Sequence, residues 1–99
     1  MMAGQQYIGT GRLGTHQSVA YTGTAGEISN VIGTQTYKVR VVVTSAAYIK
    51  IHQDADANAA TTDVYMPADS PEYFSCTPGQ KVSAVQVSAG GTLHVTELV

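Results

Sequence analysis

Charge is what this chain has least of. Lysine, arginine, aspartate and glutamate make up 12% of its 99 residues, about half the usual share. The five cations, Arg12, Lys38, Arg40, Lys50 and Lys81, are scattered, and the net charge is -2. Nonspecific nucleic-acid binding needs several phosphate-neutralising side chains together, so nucleic acid is not an expected partner. There is one cysteine, Cys76, which excludes an internal disulfide and zinc sites built on several thiolates. Tryptophan is absent, which weakens the case for a sugar-stacking platform. No apolar run reaches the length of a membrane span, so no membrane partner is expected. The opening MMAGQQYIGTGR lacks the basic region and apolar core of a signal peptide, and synthesis in a cytoplasm is the expectation.

What is present is alternation. Tyr37, Val39, Val41 and Val43 alternate with Lys38, Arg40 and Val42, and Ala47, Ile49 and Ile51 alternate with Tyr48, Lys50 and His52. A period of two puts one set inward and the other in water. Ser45 and Ala46 between them suggest a hairpin. Further strands are expected at His16–Thr22, in EYFSC around Tyr73, at Gln80–Val87 and at Thr92–Leu98, with turns at TPGQ and SAGG. The EISNVI stretch before Gly33 fits either a short strand or a helical turn. The expected fold is all-β, a small antiparallel β-sandwich or jelly-roll-like barrel of about six to eight strands. Gly9, Gly11 and Gly14 disfavour a helix, so residues 1–14 are expected as an extended N-terminal arm and residues 15–99 as a single β domain.

Chemistry-bearing patterns are weak. Asp54, Asp56 and Asn58 open like a calcium loop, but Ala59 stands where glycine is required and Tyr65 where a bidentate glutamate is required. His16, His52 and His94 fall on separate segments without a metal motif. Gly9, Gly11 and Gly14 spell G-x-G-x-x-G, yet neither the preceding strand nor the following helix of a dinucleotide site is present. Cys76 lies in an apolar strand and reads as a small buried hydrophobe. No cofactor, metal or catalytic residue is assigned, and the chain is not expected to be an enzyme. Tyrosine is the prominent contact residue, with six copies against one phenylalanine, because its ring packs while its hydroxyl meets water or a partner. Tyr37 and one of Tyr73 and Phe74 are expected in the core, and Tyr48 on the surface.

Three stretches, TYKVRVVVTSAAYIKI, DVYMPADSPEYF and PGQKVSAVQVSAGGTLHVTEL, together cover much of Tyr37–Val99. They resemble a group of small tailed-bacteriophage proteins found among virion structural genes. The resemblance implies a capsid decoration, or cement, protein at the surface of the virion, seated where major capsid subunits meet. Its implied partners are the major capsid protein and further copies of itself, as a homotrimer. A head-fibre, neck or tail accessory protein is the alternative, and a carbohydrate-binding or host-adhesion module a third. The expected partner contacts are Tyr7, Ile8, Arg12 and Leu13 on the arm, Asp54 and Asp56 in the acidic loop, and the exposed rings Tyr48 and Tyr65.

Overall fold

The computed structural model describes residues 11–53 and 58–99. Eight strands form among them: β1 (Leu13–Tyr21), β2 (Gly26–Glu27), β3 (Lys38–Val43), β4 (Ala47–Gln53), β5 (Val64–Met66), β6 (Glu72–Ser75), β7 (Gln80–Gln86) and β8 (Gly91–Leu98). They make two four-stranded antiparallel sheets, ordered β1-β8-β3-β6 and β2-β7-β4-β5. The pairs are nested: β4 with β5, β3 with β6, β2 with β7 and β1 with β8. The ribbon is then folded so that β3 also pairs with β8 and β4 with β7. This is the jelly-roll order, an eight-stranded β-sandwich.

Alternation builds the core as expected. Val39, Val41 and Val43 are fully buried, and Leu93 and Val95 lie beside them from β8. The second sheet answers with Ala47, Ile49, Met66, Val82 and Ala84. Each fully buried aliphatic side chain contributes about 1.5–3 kcal/mol relative to exposure. In the Gly26–Gly33 stretch only Gly26–Glu27 is strand, and the rest is irregular chain without a helical turn. After β2 it keeps running along β7, with Ile28 N–H donating to Val82 C=O and Ile32 N–H to Gln80 C=O at 3.0 and 2.8 Å. Ile28 and Ile32 are both 1% exposed.

Several expectations are corrected. β3 and β4 are not a hairpin, because they lie in different sheets. The chain crosses the sandwich at Thr44–Ala46, and Tyr21 fixes that corner. Its hydroxyl donates to the Ser45 carbonyl and accepts the Ser45 N–H. Thr44 closes the other side, its N–H donating to Thr92 C=O and its Oγ1 accepting Thr92 N–H. Tyr21, not Tyr37, is therefore the core tyrosine: it is 2% exposed, whereas Tyr37, one residue before β3, is 62% exposed. Of Tyr73 and Phe74, Phe74 packs on the core and Tyr73 faces water. β1 begins at Leu13, so Leu13 and Gly14 belong to a strand. Residues 1–10 of the expected arm lie outside the described residues. The short strand β5 had no expectation of its own.

Glycine is required by geometry at Gly79 and Gly26, for different reasons. Gly79 has φ 90° in the turn Thr77–Gln80, with Pro78 before it and Gln80 N–H donating to Thr77 C=O. Proline followed by a positive-φ residue is the type II pattern. Gly26 lies against β1: a Cβ there would stand 2.1 Å from the Ala20 carbonyl oxygen.

Candidate functional site

The outward residues of β4, β5 and β7 come into rows because the register aligns them. Val85 pairs with Tyr48 and Tyr48 with Tyr65, making one row across three strands. The two rings meet edge to face, 6.2 Å apart at 70°, the geometry that aromatic quadrupoles favour. Tyr65 is 55% exposed, and Val85 is buried although its register turns it away from the core. Beside this row the face becomes polar, with Lys50 next to Ser83 and Ser83 next to Glu27. Lys81 reaches Glu27 diagonally at 3.6 Å. Such a partly exposed pair contributes about 0–1 kcal/mol.

The outer face of the other sheet has a different character. His16, Thr96, Arg40 and Tyr73 form a row across all four strands. His16 Nδ1 and Thr96 Oγ1 are hydrogen-bonded at 2.9 Å. The His94 ring stacks on His16, with centroids 5.5 Å apart and planes at 22°. Lys38 lies two residues from Arg40 on the same face, and Leu98 between Leu13 and Lys38. By register the two carboxylates of this sheet, Glu72 and Glu97, fall on the inward side, Glu72 exposed at the edge strand and Glu97 buried. The outward side carries the cations Lys38 and Arg40.

One polar cluster is internal. Glu97 is 6% exposed, on the inward side of β8. Its carboxylate accepts the Thr36 hydroxyl at 2.5 Å and the Gly33 N–H at 3.3 Å, tying the loop before β3 to the sheet. The Cys76 thiol lies 3.9 Å from the Thr36 carbonyl. Burial first, and then the Glu97 charge, push that thiol up to about 11. It stays protonated at neutral pH and is a poor nucleophile.

The expected contact residues divide into separate patches. Tyr48 and Tyr65 come together on one sheet. Arg12 and Leu13 lie at the end of the other, where Arg12 and Val99 exchange backbone hydrogen bonds of 3.1 and 2.9 Å. Leu13 is 76% exposed beside the 55% exposed Val99. Tyr7, Ile8, Asp54 and Asp56 lie outside the described residues. Of the three histidines, His16 and His94 meet and His52 is on the opposite sheet. No group of three or more metal-binding side chains forms, and no pocket opens, among the described residues. The row from His16 to Tyr73 had no individual signal in the sequence. Alternation set Arg40 facing outward, but only the strand order shows what stands beside it. Comparison with protein-family models, with curated proteins and with solved structures gives no match.

Proposed function

We propose that this chain is a tailed-bacteriophage virion protein that decorates the head. In this reading it binds the outer surface of the mature shell and bridges major capsid subunits without chemistry. The observation that carries the reading is the Tyr48–Tyr65 pair, two rings packed edge to face on an outward sheet face with Val85 buried beside them. Interface centres are enriched in aromatic side chains and depleted of charge. Rings backed by paired strands lose little side-chain freedom on binding. The resemblance of Tyr37–Val99 to phage virion proteins supports the same class, and jelly rolls are a recurrent capsid architecture. Fold alone does not fix function, so the weight rests on the surface. The edge-to-face packing of Tyr48 and Tyr65 favours a protein partner over a sugar, which would want a flat ring face.

The test is quantitative mass spectrometry of purified virions. Hundreds of copies, in a simple ratio to the major capsid protein, are expected. A handful would move the protein to the neck or tail, and absence would refute a virion role. With purified mature heads, Tyr65→Ala is expected to weaken binding by about 1–2 kcal/mol, roughly five- to thirtyfold. Glycan binding lost in Tyr65→Ala, with head binding intact, would favour the adhesion module.

A further inference from the structure

Among the described residues each sheet ends in two edge strands, and three of these are short. β2 has 2 residues, β5 has 3 and β6 has 4, whereas β1 has 9. An edge strand presents backbone donors and acceptors to any other strand, and proteins blunt that hazard with charge, proline, bulges or brevity. β1 reads LGTHQSVAY and contains no charged residue and no proline. Among the described residues its one protection is a register shift between Leu13 and His16; from His16 to Tyr21 the pairing with β8 is regular.

The direction of its backbone groups follows from neighbouring bonds. Thr44 N–H donates to Thr92 C=O, so Thr92 turns toward β3 and the next residue, Leu93, turns toward β1. Antiparallel ladders alternate, so Val19 and Gln17 bond β8, while His16, Ser18 and Ala20 face outward. Gly26 lies against the Ala20 carbonyl. Among the described residues, His16 and Ser18 remain as the open stretch, both exposed. Its shape is set in advance, because the Gln17 amide donates to Asn30 C=O at 3.0 Å and accepts Asn30 N–H at 2.9 Å.

We propose that β1 is a self-association edge, on which a second copy of this chain docks its own β1 antiparallel about a two-fold axis at Gln17. His16 then exchanges both backbone hydrogen bonds with the partner subunit's Ser18, and Ser18 with the partner subunit's His16. The two β1-β8-β3-β6 sheets become one continuous sheet across the axis. A second copy fits because an uncharged strand opposes no like charge when it meets itself, and antiparallel pairing about one residue is self-complementary. A net charge of -2 per copy adds little repulsion. The inference does not depend on head binding.

Sedimentation equilibrium of the full chain tests it. The expected mass is twice the 10.4 kDa of one chain, with dissociation on dilution. Ser18→Pro removes an outward N–H while leaving the β8 ladder intact. It is expected to keep the far-ultraviolet circular dichroism and to weaken the dimer about a hundredfold, because the symmetric pair loses two donors. Amide hydrogen exchange on the unaltered protein provides a check should that variant not fold: His16 and Ser18 are expected to exchange more slowly as concentration rises. A monomer throughout the concentration range, a trimer, a folded Ser18→Pro that dimerises normally, or concentration-independent exchange at His16 and Ser18 would each overturn the proposal.

Discussion

Replacing Tyr21 with phenylalanine tests the corner that carries the chain from one sheet to the other. The ring is 2% exposed and stays in place, so the change removes one oxygen and little packing. That oxygen serves both backbone groups of Ser45, as acceptor for its N–H and donor to its C=O. A buried polar group left without a partner costs about 1–3 kcal/mol. Ser45 is only half-buried, so water recovers part of that, and the two groups together are expected to cost about 2 kcal/mol. For a domain of this size, each kcal/mol lowers Tm by about 4–8 °C, which sets the expected loss at about 8–16 °C. Thermal melts followed by circular dichroism, with urea midpoints at constant m-value, provide the measurement. Tyr65→Phe on the exposed face is the control, expected within about 0.5 kcal/mol of the unaltered protein. A Tyr21→Phe melt indistinguishable from that control would refute the assignment of the corner to this hydroxyl.

Leu93→Ala, at a fully buried site between β1 and β3, is expected to cost about 2–5 kcal/mol by denaturant titration. Glu97→Ala leaves the buried Thr36 hydroxyl and the Gly33 N–H without their acceptor, at about 1–3 kcal/mol each. Hydrogen exchange in the Gly33–Thr36 turn should accelerate in that variant. Gly26→Ala drives a Cβ onto the Ala20 carbonyl and is expected to cost at least about 1–3 kcal/mol through forced separation of β1 and β2, read as a lowered Tm. At alkaline pH the native state keeps the Cys76 proton after the unfolded chain has released it. The stability this contributes is intact below the ordinary 9.0 and is lost as pH rises through about 11. The Tyr21 hydroxyl, also raised by burial, adds a loss above 10.0. The readout is therefore the difference between the unaltered protein and Cys76→Ala, whose unfolding free energy should fall less steeply across that range.

Most of the fold was legible because each long strand carries its own period. Val39, Val41 and Val43 define an inward face without reference to any other strand, and Ala47, Ile49 and Ile51 do the same. Which strand lies beside which is not local information, and there the sequence misled. Ser45 and Ala46 suit a tight hairpin turn, but the hydroxyl that makes them a crossover belongs to Tyr21, 24 residues earlier. Tyr37 continues the inward period of β3 yet lies beyond its end, where alternation no longer guarantees cover. β5 has three residues, too few for a periodic signal. Tyr48 was legible as a surface ring from Lys50 and His52 on its own strand. Its contact with Tyr65 depends on the β4–β5 register, and the row from His16 to Tyr73 depends on an order that joins residues 16, 96, 40 and 73.

The nested pairing has a consequence for the order of assembly. The innermost pair, β4 with β5, closes over the intervening 54–63 segment, and each pair outward closes a longer loop, ending with β1 against β8. Loop closure must precede the contacts that reward it, and chains dominated by such distant pairings fold slowly, in about milliseconds to seconds. During synthesis β1 emerges before the other seven strands, yet its ladder partner among the described residues, β8, emerges after all of them. The strand with the least protected edge among those described is thus the one that waits longest for its partner, and the self-pairing proposed for it would compete with β8 throughout that wait.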